Sequence, residues 1–120
     1  MTNELTEKME AVAILLGLDE EEKQELRESS YDENIIEYYN EEYEVLTDSE
    51  ADDRWDDELN NYIDECILPE LPDHLQNYFD EEEWKRDARF DGRGHAISRY
   101  DGREEEIKIN GTWYFIYRQN

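Results

Sequence analysis

Residues 47–68 read TDSEADDRWDDELNNYIDECIL, and the fold turns on how this stretch is taken. Ala51, Trp55, Leu59, Tyr62, Ile63, Cys66 and Ile67 recur every three or four residues, so they share one helical face that can be buried. Thr47 with Glu50 three residues later is a capping-box pattern, and Pro69 stops the helix. Leu68 aside, the remaining positions are polar. Asp48, Glu50, Asp52, Asp53, Asp56, Asp57, Glu58, Asp64 and Glu65 are nine acids against the single base Arg54, a net of eight negative charges. At a rise of about 1.5 Å per residue the stretch spans roughly 33 Å, or about one net charge per 4 Å. One strand of duplex DNA carries a phosphate about every 3.4 Å. The stretch therefore predicts an amphipathic helix whose outer face imitates a phosphate backbone.

The whole chain shares this bias. Its 120 residues make one domain with a modest core, and 36 acids against 12 bases leave a formal charge of −24. Three Trp, nine Tyr and three Phe argue for a folded chain, because disordered acidic segments are poor in aromatics. So large a charge repels itself in the compact state, disfavours direct binding of nucleic acid and steers the protein towards basic surfaces. The single Cys66 excludes an internal disulfide and fits a reducing compartment. The one apolar run, residues 11–18, is too short to span a membrane and no signal-peptide pattern is present. The expectation is a soluble, intracellular protein of the cytoplasm.

Outward from the acidic helix, residues 4–16 carry Leu5, Met9, Val12, Ala13, Leu15 and Leu16 at helical spacing and end at Gly17, a C-terminal cap. Residues 20–27, capped by Asp19, and residues 31–39 read as two further short helices, and residues 42–47 as a strand leading into the capping box. After Pro72 a short helical turn holds Leu75, Tyr78 and Phe79. Asp80, with Glu83 at the capping-box position, then begins a helix that ends at Gly92. HAISRY, EEEIKI and TWYFIYR follow, separated by Asp101-Gly102 and Asn110-Gly111, the strongest short-range hairpin signals. Trp113, Phe115 and Tyr117 fall on one face of the last strand, and Tyr114 and Ile116 on the other. The expected fold is α+β: acidic helices followed by a C-terminal three-stranded antiparallel β-meander. Residues 1–40 form an N-terminal helical segment, and residues 41–120 hold the acidic helix and meander. Charge divides similarly, with a net of −26 over residues 1–84 and +2 over residues 85–120.

No catalytic constellation stands out. Acid/base pairs need environments that drive two pKa values apart, and no distinct pair emerges among so many carboxylates. Asp87, Arg89, Asp91, Gly92 and Ser98 fall at calcium-loop positions, but Arg and Ser replace required carboxylates. Cys66, His74 and His95 lack zinc spacing, and Cys66 sits on the apolar stripe as a buried small hydrophobe. Gly92-Arg93-Gly94 has no preceding strand and no following Lys-Ser/Thr, so it is a turn, not a phosphate cradle. Arg86, Arg89, Arg93, Arg99 and Arg103 are expected to pair with surplus acids of the same chain or of a second subunit. A non-enzymatic protein with no cofactor and no metal is the reading. Solubility or halophilic adaptation would explain acidity, yet Asp48/Asp52/Asp56 and Asp53/Asp57 place like charges at i, i+4, which costs stability. Repulsion retained at a cost implies a use. The candidate partner-binding residues, as surrogate phosphates, are Asp48, Asp52, Asp53, Asp56, Asp57, Glu58, Asp64 and Glu65, continued by Glu81, Glu82 and Glu83. The alternative is an interaction module that uses the aromatic meander, its charge serving solubility.

A resemblance adds to this. Pro72, Leu75-Gln76-Asn77-Tyr78, Asp80, Trp84, Arg86-Asp87 and Gly92 resemble the closing segment of the ArdA antirestriction proteins, and the preceding Asn61-Tyr62-Ile63-Asp64-Glu65 is similar too. The likeness runs from about residue 55 to the end. It implies a phage or mobile-element protein that mimics bent B-form DNA and blocks type I restriction enzymes, usually as a dimer, with the Leu-Gln-Asn-Tyr and Arg-Asp positions serving the fold. The expected partner is a host DNA-binding defence complex with a basic groove, either a restriction enzyme or a CRISPR effector.

Overall fold

Strand β3, Glu41–Thr47, lies at the centre of the structure, a computed structural model that describes residues 5–120. Its side chains alternate, Tyr43 and Val45 to one face and Glu44 and Leu46 to the other, and all four are buried. Burial on both faces requires a cover on each. Helix α1, Glu7–Leu16, covers the first, placing Met9, Ala11, Val12 and Ala13 against Tyr43, Val45, Tyr114 and Ile116. Its ends are set locally: the Thr6 hydroxyl accepts from the Met9 amide at 3.2 Å, and Gly17 closes it at φ 68°. The expected first helix is thus present, residue 4 lying outside the described residues. Helix α2, Asp48–Tyr62, covers the other face with Ala51 and half-buried Trp55 against Leu46, Phe115 and Tyr117.

The sheet has five antiparallel strands in the order β1-β2-β3-β5-β4, with β1 at Leu26–Glu28, β2 at Ile35–Tyr38, β4 at Glu105–Ile109 and β5 at Thr112–Arg118. The α+β class holds, but the three-stranded meander does not. HAISRY is not a strand: Arg93–Ile97 forms helix α5. In a meander that strand would lie beside β4; instead β4 is the edge of the sheet, and the second neighbour of β5 is β3, which pairs Val45 with Ile116 and Leu46 with Phe115. A pairing across about 70 residues leaves no local trace. The second hairpin, through Asn110 (φ 49°) and Gly111 (φ 85°), is present as read, and Tyr114/Ile116 and Phe115/Tyr117 do point to opposite faces.

Residues 20–27 and 31–39 are corrected as well. Only Glu22–Glu25 is helical, as a 3-10 turn, and β1 and β2 replace the two short helices. The Ile35-Ile36-Glu37-Tyr38 sequence is β-prone, and over so short a run helical spacing cannot be told from a strand. The two-residue β2–β3 connection carries Tyr39 at φ 54°, without the glycine that would have announced a hairpin. The segment expected to be helical through residue 40 therefore contributes two strands, and β2 and β3 pair across that boundary.

Beyond Tyr62 the chain leaves the sheet. A π-turn (Ile63–Ile67), a 3-10 turn (Leu68–Glu70), helix α3 (Asp73–Gln76), helix α4 (Glu81–Ala88) and a 3-10 turn (Arg89–Asp91) form an arm that buries only Ile63 and Lys85. The π-turn widens the helix and rotates the stripe. Cys66, expected to be buried, is exposed as a result. The arm makes the molecule long, 62 × 27 × 21 Å with a radius of gyration of 17.4 Å, against about 13.6 Å for a compact domain of this size. No helix among the described residues is long and apolar enough to cross a membrane.

Two outcomes test this packing. A Cβ on Gly94 would meet the Gly102 carbonyl oxygen at 2.6 Å and the Glu104 amide at 2.8 Å, so Gly94→Ala should cost about 1–3 kcal/mol in urea unfolding. Gly17→Ala meets nothing within 4 Å and should cost only its left-handed backbone, about 1 kcal/mol. The capping box supplies the second. Burial opposes ionisation of Glu50, but the Thr47 amide at 2.9 Å and the Lys8 ammonium at 3.1 Å outweigh it and hold the carboxyl below its ordinary 4.5. A depressed folded pKa gives stability that is present above the unfolded value and lost as pH falls through the folded one. Glu50→Gln should therefore cost about 1 kcal/mol at neutral pH and shrink that loss below about pH 4.5, measured by unfolding at both pH values.

Candidate functional site

The acids of α2 divide according to what the rest of the chain brings to them. Arg93, at the start of α5 with an 11% exposed side chain, reaches Asp48 and Asp52 at 2.9 Å each and Glu104 at 2.7 Å. It lies over the Phe115 ring, 4.5 Å from the centroid. Burial works against its charge, but the contacts to Asp48 and Glu104 dominate and hold the guanidinium more firmly protonated than an ordinary arginine. Glu104 also accepts from the Tyr117 hydroxyl, whose pKa burial and this bond push well up. Asp56 receives Lys85 at 3.2 Å and Arg89 at 3.3 Å, and Glu58 is paired with Arg54, which also holds the buried Glu44 at 3.2 Å. Burial lifts the Glu44 carboxyl above its ordinary value although Arg54 opposes it. Arginines 89 and 93 thus pair with surplus acids of the same chain, as expected. Arg86, Arg99 and Arg103 form no ion pair among the described residues.

Four of the candidate surrogate phosphates, Asp48, Asp52, Asp56 and Glu58, are therefore engaged internally. The other seven are not. Asp53, Asp57, Asp64, Glu65, Glu81, Glu82 and Glu83 are exposed and meet no cation among the described residues. On α2, Asp53 and Asp57 stand one turn apart, about 6 Å along the axis, and Asp64 lies roughly 10 Å further on. Glu81–Glu83 occupy the first turn of α4, where Asp80 accepts from the Glu83 amide at 3.1 Å and the helix dipole favours negative charge.

Where α2 enters the π-turn, α4 and α5 leave a groove of about 520 Å³ between them. Tyr62 and Trp84 stack there, centroids 5.4 Å apart and planes 8° from parallel, with Glu58, Glu65, Cys66, Asp91 and His95 around them. The sequence placed Tyr62 on the apolar stripe of the acidic helix and Trp84 among the residues that carry the ArdA resemblance. Their pairing joins residues from two helices, and nothing local in the sequence signals it.

No family model matches the chain, and no curated protein and no solved structure matches it either.

The division of the acids is testable. Arg93→Gln leaves Asp48, Asp52 and Glu104 close together without a counter-charge, and should cost about 2 kcal/mol or more, less in high salt. Asp64→Asn and Glu82→Gln should each stay within about 0.5 kcal/mol by the same urea assay.

Proposed function

We propose that this protein is a non-enzymatic DNA mimic that occupies the basic DNA groove of a host defence complex, a restriction enzyme or a CRISPR effector, and so protects an invading phage or mobile element. The observation that carries the reading is the row of exposed acids left without internal counter-charges, Asp53, Asp57, Asp64, Glu65 and Glu81–Glu83. Shape supports it. Without Glu4, the described residues carry 35 acids and 12 bases, so a net of −23 lies along 62 Å, about one charge per 2.7 Å. Duplex DNA carries one per about 1.7 Å, so the protein has roughly two-thirds of the duplex's linear density. A complex that holds duplex mainly through phosphates would meet a comparable field without a scissile bond or a base to read. The likeness of residues 55–120 to ArdA proteins points the same way and makes a type I restriction enzyme the first target to test.

The interaction-module alternative draws no such support, because Tyr114, Phe115, Ile116 and Tyr117 of the hairpin are buried within the protein and Trp113 alone of its aromatic row is half exposed.

The mimic reading sets function against stability. Asp57→Lys turns the Asp53/Asp57 repulsion at i, i+4 into attraction and should raise stability by about 0.5 kcal/mol. The double variant Asp53→Lys/Asp57→Lys should nevertheless weaken inhibition of DNA cleavage more than about tenfold, and high salt should weaken the unaltered protein in the same assay. Undiminished inhibition by the folded double variant would refute the reading. Asp52→Asn, which removes a carboxylate held by Arg93, should leave inhibition within about twofold.

A further inference from the structure

We infer that the groove between the π-turn, α4 and α5 is a subsite for a single guanidinium side chain. Three features converge on a cation. Glu58, Glu65 and Asp91 give the walls three carboxylates, of which Glu58 alone has an internal cation, and no lysine or arginine lines the groove among the described residues. The Tyr62–Trp84 stack adds electron-rich ring faces, with Tyr62 still 52% exposed although half of it is covered. At about 520 Å³ the groove, half open to solvent, has room for a single ligand group. An anion is repelled by these walls, and a neutral group could pack on Leu59, Ala88, Ala96 and the rings but would leave the carboxylates without a partner. A cation is held twice, by charge and by ring.

Arginine fits better than lysine. The guanidinium is flat, stacks on aromatic faces and donates in-plane hydrogen bonds to carboxylates at the same time, while an ammonium is a compact, strongly hydrated point charge. The protein already uses this pairing internally, where Arg93 lies over Phe115 while bonding Asp48 and Glu104. That the occupant belongs to the partner's basic groove rests on the mimic reading; the chemistry of the subsite does not. In that setting the groove supplies what a row of carboxylates lacks, a partly desolvated anchor among screened surface charges.

The protein with labelled tryptophan indoles provides the test, since Trp55, Trp84 and Trp113 lie in different surroundings. Titration with Nα-acetyl-arginine methylamide should shift the Trp84 indole saturably and protect Cys66 from alkylation. The lysine analogue should do so more weakly, and the isosteric, uncharged citrulline analogue not at all. Glu65→Gln/Asp91→Asn, at two exposed positions, should weaken the arginine probe about two- to fivefold, and Trp84→Leu at least as much. Equal binding of citrulline, or shifts spread without saturation over all three indoles, overturns the subsite. Inhibition of DNA cleavage by a protein that does not bind the arginine probe likewise overturns the subsite and leaves the mimic reading standing. Saturable probe binding without inhibition upholds the subsite and removes the mimic reading.

Discussion

The structure depends on one guanidinium. Arg93 bridges α2, α5 and the residues before β4, and it does so over the Phe115 ring inside the sheet's outer face. Asp48 and Asp52 are one helical turn apart and would repel each other by about 0.2–0.5 kcal/mol if exposed alone. With Arg93 set between them they become ligands of one cation, and the helix is drawn onto the sheet at its amino-terminal end. The apolar contact beneath is thin, since α2 buries only Ala51 and Leu59 fully. The charge contact is accordingly a condition of docking. Gly94 belongs to the same arrangement, because only a residue without Cβ lets α5 approach Gly102 and Glu104 closely enough for Arg93 to reach.

Internal neutralisation also sorts the acidic surface. Arg54, Lys85, Arg89 and Arg93 pair with Glu58, Asp56, Asp48 and Asp52, of which Asp48 and Asp52 keep 69% and 61% of their side chains exposed, while Asp53 and Asp57 meet no cation among the described residues. Both sets lie on the same 15-residue helix. One set holds the fold together and the other pushes against it. This explains how a chain of net charge −24 can fold while presenting a strong one-signed field outward.

The arm is the second place where folding alone leaves things unfinished. From the π-turn to the 3-10 turn after α4 it buries Ile63 and Lys85, and leaves Leu75, Tyr78 and Phe90 exposed. Yet it positions Trp84 on Tyr62 and brings Lys85 and Arg89 to Asp56. A weakly packed extension, held to the body by one aromatic stack, two ion pairs and the Arg89 guanidinium 5.7 Å over the Trp55 ring, keeps the groove open and the acidic row extended.

Much of this was legible along the chain. The capping box at Thr47 and Glu50, the left-handed stop at Gly17, the hairpin at Asn110-Gly111 and the Asp80 cap are local devices, set by hydrogen bonds within four residues and by glycine's freedom at positive φ, and each stands where the pattern puts it. The amphipathic acidic helix was legible for the same reason. The β1 and β2 strands, the helix at HAISRY and the exposure of Cys66 were not, because strand pairing and the π-turn depend on partners distant in sequence or on a shift in helical register. The sequence by itself determined that this protein carries a helix of acids and how that helix begins. Only the tertiary structure decided which acids remain free, since the cations that neutralise Asp48, Asp52 and Asp56 lie 29 to 45 residues away and meet them only when α4 and α5 fold back onto α2.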